Sequence, residues 1–353
     1  MGVIARHPEI ALKGVKLRAY GQEIIRRLTG KRIHGVIAIP GGVNRALAAG
    51  DREVLLGDHP QILTWAREAV ALARDLYLGD RALADRFASF PSNYMSLIRS
   101  DGALDLYDGG LRARDARGEG ILDHVDYAHY NRYLHEEVKS WSYMKFPFLL
   151  SRGHEEGWYR VGPLARMNNV DFIPTPLAEA ERVEFMKLGS GLPVPGSLAY
   201  HWARMIELLH AAEGIGQLLD DPDLLGDDLR VQGERALEGV GLIEAPRGTL
   251  FHHYRINEDD QITHCNLIVS TTNNNTAMNT AVRHVADQYF DGRALTEGLL
   301  NRIEVAIRAY DPCLSCATHA LGRMPLQVEL LDADGALVDR LARGGDGVVE
   351  RSR

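Results

Sequence analysis

The sequence predicts a mainly α protein: a multihelical bundle core with small antiparallel β hairpins. Apolar residues recur at helical spacing through most of the chain, and an alternating pattern replaces them only from Leu250 and again near the end. A length of 353 residues with 45% hydrophobic content supports a large core, as one big domain or two intimately packed ones.

Leu17, Tyr20, Ile24 and Leu28 define a first helix that Gly30 is placed to stop, and Pro40-Gly41-Gly42 reads as a turn. Ile62, Ala66, Val70, Ala73 and Tyr77 mark a second, long helix. A short strand and glycine turn are expected around Ala103 to Gly110, and a helix over Tyr127 to Tyr143. Pro193 and Pro195 make Gly189 to Gly196 a loop, after which Leu198, Trp202, Met205, Ile206 and Leu209 form a helix. Leu250, His252, Tyr254 and Ile256 alternate, residues 257–260 turn, and Gln261 to Val269 return as a second strand. Ser270 to Asn275 offer short-range hydrogen bonds, and Ala277 to Tyr289 and Thr296 to Tyr310 are helical. The 34 residues beyond His319 read as a terminal hairpin, with strands at 326–330 and 336–341 about a turn at Ala333-Asp334-Gly335.

A net charge of -8 favours neither nucleic acid nor an anionic membrane as partner. No run of about 18 apolar residues reads as a membrane span, and the first residues do not read as a signal peptide. Three cysteines, two of them in one motif, fit a reducing compartment, so the expected location is cytoplasmic.

Chemistry concentrates in Asp311-Pro312-Cys313-Leu314-Ser315-Cys316-Ala317-Thr318-His319. Two sulfurs three residues apart and an imidazole three further on can converge on one metal from a single turn. Spacing alone leaves this open between half of a zinc site, a redox pair and coincidence. Cys265, on the predicted strand, reads as a buried small hydrophobe.

DPCLSCATH after a helix resembles the C-terminal metal motif of nickel-iron hydrogenase large subunits. Glu244-Ala245-Pro246-Arg247-Gly248 resembles the family's EAPRG element, and residues 267–273 the strand and turn that follow it. His7 to Gly14 and Tyr159 to Arg166 are similar to the cytoplasmic branch that couples hydrogen to a nicotinamide. The resemblance implies the large-subunit fold and reversible heterolytic cleavage of H2 at a nickel-iron centre whose iron carries CO and cyanide. Electrons would leave through an Fe-S small subunit to a flavin and Fe-S module that reduces NAD(P).

By resemblance Cys313 is a terminal nickel ligand, Cys316 a bridge to iron, and His319 a ligand of a nearby magnesium. Arg247 would stand over the metals beside the cyanides, with Pro246 and Thr271 against the iron's ligands and Asp311 hydrogen-bonded to Arg247. On the residues alone, Arg247 could equally be a structural salt bridge, Asp311 a helix end and His319 a structural histidine. The family holds nickel with four thiolates, two of them from an N-terminal RxCGxC-type element, and no cysteine precedes Cys265. The expected organisation is therefore 1–319 as a large-subunit domain lacking its N-terminal metal segment. Residues 320–353 would be an extension that a maturation endopeptidase removes after His319. The competing expectations are an inactive truncated fragment and a non-catalytic scaffold related to a respiratory complex I subunit. His135-Glu136-Glu137-Val138-Lys139 lacks the second histidine of HExxH, and Gly189-Ser190-Gly191 is no dinucleotide fingerprint.

Overall fold

The computed structural model describes residues 5–314, 326–344 and 348–352. In chain order the helices are α1 Pro8–Thr29, α2 Ala49–Gly79, α3 Arg81–Arg86, α4 Gly153–Glu156, α5 Pro163–Asn169, α6 Pro176–Met186, α7 Ala199–Asp220, α8 Ser270–Asn273, α9 Asn275–Tyr289 and α10 Glu297–Ala309. The strands are β1 Ala38–Ile39, β2 Gly42–Val43, β3 Asn93–Ile98, β4 Gly110–Arg114, β5 Gly120–Val125, β6 Leu134–Glu137, β7 Phe146–Leu149 and β8 Tyr159–Arg160. They continue as β9 Glu238–Ala245, β10 Gly248–Ile256, β11 Ile262–Ile268, β12 Leu326–Leu331, β13 Leu337–Arg343 and β14 Val349–Ser352. Helix accounts for 46% of the chain, so the mainly helical class holds. One expectation within it changes: β3 and β8 pair in parallel, which no hairpin can do.

The chain divides into two compact units. The first comprises Met1–Gly79, Ile173–Val183 and Arg204–Ala236. Here α1 ends as expected, with Gly30 left-handed at φ 81 and its N–H on the Arg26 carbonyl at 2.8 Å. Tyr20 donates to the Leu55 carbonyl at 3.0 Å. Burial, and then the charge of Asp58, push the Tyr20 phenol up to about 12. Leu55, Ile62, Ala66, Val70 and Tyr77 form the buried stripe of α2. The Glu213 carboxylate accepts from the N–H groups of Leu177 and Ala178 at 3.0 and 2.8 Å, satisfying the first turn of α6.

The second unit comprises Asp80–Phe172, Glu184–Ala203 and Leu237–Arg353. It holds a four-stranded sheet ordered β5-β4-β3-β8 and an antiparallel three-stranded sheet ordered β11-β10-β9. Met95, Leu97, Leu111, Tyr159, Phe251 and Ile268 belong to one buried cluster of this unit.

Three local expectations are corrected. No strand runs from Ala103 to Gly110: Ala103 makes a single bridge to Phe172, and strand begins only at Gly110. The Asp105 carboxylate accepts from the N–H groups of Tyr107 and Asp108, which turns the backbone instead. Tyr127 to Tyr143 are not one helix. A 3-10 turn, Tyr127–Arg132, capped by Asp126 gives way to β6, because pairing with β7 buries Leu134. Cys265 is exposed, not buried: it lies on β11, an edge strand whose first four residues face solvent.

The terminal hairpin is present as β12 and β13, and β14 adds a third strand. Asp339 is buried and accepts from Leu295 N–H at 3.1 Å and from the Arg351 fork at 2.9 and 3.0 Å. Burial alone would raise this carboxyl, but Arg351 and the Leu295 amide hold it below its usual range. A depressed carboxylate stabilises the fold above the unfolded pKa of about 3.9 and loses that contribution as pH falls through its folded value. Asp339→Asn should therefore speed amide exchange in β13 at neutral pH, and wild type should approach the variant on acidification below about pH 4. Equal exchange in both proteins at neutral pH would refute the clamp.

Candidate metal centre

The site begins with a hairpin turn. Ala245 pairs with Gly248 across β9 and β10, so Pro246 and Arg247 form a two-residue loop. Two-residue hairpins favour turns with positive φ at the first central residue, because these match strand twist. Proline fixes that φ near about −65°, and Arg247 is not at positive φ either. The turn is therefore an unfavoured one, and its neighbours hold it in shape.

Those neighbours come from α5 and from the two residues that precede it, Val161 and Gly162. Arg166 and Glu244, with side chains 1% and 0% exposed, form an ion pair at 2.6 Å. The Arg166 fork also donates to the carbonyls of Ala245 at 3.1 Å and Pro246 at 3.3 Å. Leu97 N–H and the Thr249 hydroxyl fill the other Glu244 oxygen at 2.9 and 2.7 Å. Burial pushes the Glu244 carboxyl above its ordinary range, against the pull of Arg166 and these donors. Removing either charge would leave the other buried and unpaired, at a cost of about 3–5 kcal/mol.

Glycines allow the close approach. A Cβ on Gly248, at φ 132, would lie 2.2 Å from Val161 Cγ2, and one on Gly162, at φ 88, would lie 2.8 Å from the Arg247 carbonyl oxygen. Gly248→Ala should destabilise the fold by about 2 kcal/mol or more through strain and overlap. Denaturant unfolding checks this, and an unchanged midpoint would contradict it.

The segment Ser270 to Asn275 is buried throughout. Its side chains were expected to bond locally, but many reach other segments. Ser270 donates to the Gly248 carbonyl at 2.7 Å and Asn273 to the Thr249 carbonyl at 2.9 Å. Asn274 Oδ1 accepts from Val161 N–H at 2.9 Å, and Asn273 Oδ1 from Tyr159 at 2.6 Å. These bonds lock the turn against β8 and β10.

Helix α10 delivers the third segment. Asp311 follows it in the left-handed region at φ 52, which aspartate tolerates better than most residues, and Pro312 disfavours continued helix. Cys313 N–H then donates to Thr271 Oγ1 at 3.1 Å. Arg247 Nε donates to the Asp311 carbonyl at 2.6 Å and lies 3.6 Å from its Oδ2. The side chains of Arg247 and Asp311 are 40% and 44% exposed, so the ion pair itself adds little stability.

The structure thus brings together Pro246, Arg247, Thr271, Asp311 and Cys313. Cys316 and His319 lie outside the described residues. Among the described residues no three His, Cys, Asp or Glu side chains converge as a metal cage. Cys313 is disulfide-bonded in this structure; once reduced, its thiolate, with the guanidinium nitrogens of Arg247 that have no partner among the described residues, would fit an anionic metal-thiolate group. Sequence reasoning gave no role to Arg166, Glu244, Asn273 or Asn274. A charged residue inside each of the apolar runs VGPLAR and GLIEAP was the available signal.

Residues 114–319 match the family model described as nickel-dependent hydrogenase. The chain is 45% identical over 353 residues to the NAD-reducing hydrogenase HoxS subunit beta of Cupriavidus necator, covering 97% of this chain and 72% of that one. It is 36% identical to a chain of the F420-non-reducing hydrogenase vhc of Methanococcus voltae, over 92% of this chain and 69% of that one. Among solved structures, a crystal structure of an NAD+-reducing [NiFe]-hydrogenase in the H2-reduced state superposes with TM-score 0.87. It shares 50% identity, with 90% of this chain and 70% of that chain covered. A [NiFeSe]-hydrogenase of Dm. baculatum shares the fold at TM-score 0.65 and 20% identity, over 88% of this chain and 69% of that one. A family match over more than half the chain, and a relative so similar along nearly all of it, lead to one assignment: the chain belongs to the nickel-dependent hydrogenases, as a large-subunit chain.

Proposed function

We propose that this chain is the large subunit of a hydrogenase that couples reversible H2 cleavage to NAD(P), and that Cys313, Cys316, Arg247, Asp311 and Thr271 serve its nickel-iron centre. The reading rests most on the meeting of Arg247, Asp311, Thr271 and Cys313 from three separate segments. The similarity to the HoxS subunit beta supports the nicotinamide coupling.

A nickel-iron centre supplies the Lewis acidity and redox capacity for heterolytic cleavage of hydrogen, with NAD(P)+ plus H2 giving NAD(P)H plus a proton. Reduced, Cys313 and Cys316 would offer soft sulfur ligands, and His319 a nitrogen for magnesium. The Thr271 hydroxyl fixes the backbone at Cys313, and a hydroxyl can also donate to a cyanide on iron. The Asp311 carbonyl anchors the guanidinium through Nε, and the two Nη groups would then be left to donate to anionic ligands of a bound centre and to accumulating negative charge. Pro246 limits the freedom of the backbone that carries this side chain.

Electrons would pass through an Fe-S small subunit to a flavin and Fe-S module that reduces NAD(P), in the cytoplasm. No described helix is long and apolar enough to cross a membrane. We place 320–353 as an extension cut after His319 by a maturation endopeptidase. The test is purification of the complex from its own cells, with nickel analysis and H2-dependent NAD(P) reduction. Stoichiometric nickel with reduction under H2 is expected; a nickel-free complex, or one that reduces no nicotinamide, would refute the reading.

A further inference from the structure

The Pro246-Arg247 turn is of the kind two-residue hairpins disfavour, so its geometry is maintained from outside the hairpin. The groups that do this converge from α5 and from Val161 and Gly162, which link β8 to it. One guanidinium, fully buried, spans the carboxylate of Glu244 and the carbonyls of Ala245 and Pro246, the three residues that precede Arg247. Glu244 is itself tied to β3 through Leu97 N–H and to β10 through Thr249. Gly162, whose carbonyl accepts from Arg166 N–H in the first turn of α5, packs directly under the Arg247 carbonyl.

We infer that Arg166 is a positioning residue for the hydrogenase reaction: with Glu244 it is the mount that aims Arg247. The inference rests on the reading that Arg247 acts at the metals. Planarity matters here, because one fork must serve a carboxylate and two carbonyls at once. Lysine in its place keeps the charge beside Glu244 but cannot hold the Pro246 carbonyl in the same geometry. The turn then relaxes toward the twist its strands prefer, and Arg247 Nε leaves the Asp311 carbonyl. Arg166 never touches the metals on this account, and its whole effect passes through Arg247.

The test uses the complete nickel-loaded complex carrying Arg166→Lys, Arg247→Lys or both, with Glu244→Gln as a second route to the same mount should Arg166→Lys not fold. Arg166→Lys is expected to retain nickel, leave KM for H2 unchanged and lower kcat about ten- to a hundredfold, the range for a reacting group displaced by about 1 Å. Its crystal structure should show Arg247 displaced from the Asp311 carbonyl. The double variant should be no slower than Arg247→Lys alone, since a mount has nothing left to aim. Glu244→Gln should show a smaller loss with the same non-additivity. Losses that multiply, or an Arg166→Lys structure that retains the 2.6 Å contact with unchanged kcat, would overturn the inference. If Arg247→Lys itself turns over normally, the reading of Arg247 falls and the mount falls with it; if only Arg166→Lys is normal, the mount alone falls.

Discussion

Replacing Arg247 with lysine is expected to leave the chain folded and loaded with nickel while lowering kcat by about 10²–10³, the usual cost of losing one preorganised donor at a developing charge. Stability changes little, because the side chain is 40% exposed and its ion pair with Asp311 is screened. The catalytic loss is large for a geometric reason. Arginine anchors through Nε at 2.6 Å and still presents two further nitrogens, whereas an ammonium spends its single point charge either on the anchor or on the metals. Steady-state turnover with parallel nickel analysis checks this, and a variant with wild-type kcat would remove Arg247 from the mechanism.

The second large effect is on the metal itself. Cys316→Ser in the complete enzyme should abolish nickel retention, because a hydroxyl is a hard and weakly acidic donor where a soft, ionised sulfur is required. Cys313→Ser should do the same while leaving its backbone bond to Thr271 in place. Metal analysis of the purified protein provides the readout. A nickel-replete Cys316→Ser protein would rule out a bridging role for that sulfur.

The helices were the most legible part of the chain, since α1, α2, α7, α9 and α10 each carry a regular apolar period and several have readable stops, such as Gly30 and Pro312. The sheet around the site was not. Strand β3 is buried at nearly every position, so it shows no alternation, and β9 was missed because its neighbour β10 carries the stronger pattern. Residues 127–143 have helical spacing of aromatics, yet antiparallel pairing of β6 with the next strand, β7, prevails over helical preference. Arg247, Asp311 and Cys313 could be singled out through motif resemblance. The contact between Arg247 and Asp311 took a backbone oxygen that no sequence pattern specifies. Arg166 and Glu244 lay in full view inside the motifs, but which charge a buried residue meets depends on tertiary register, and Cys265 faced water for the same kind of reason.

The parallel pairing of β3 with β8 registers Asn93 with Tyr159 and Tyr94 with Arg160, segments that no tight turn can join. The intervening chain must close a long loop before this pair forms. Contacts of such sequence separation make folding slow relative to helix formation. Helices such as α10 can form from local contacts, whereas the meetings of Arg247 with Asp311 and of Cys313 with Thr271 depend on contacts distant in sequence. A peptide spanning α10 and the cysteine motif would carry the sulfurs without the site.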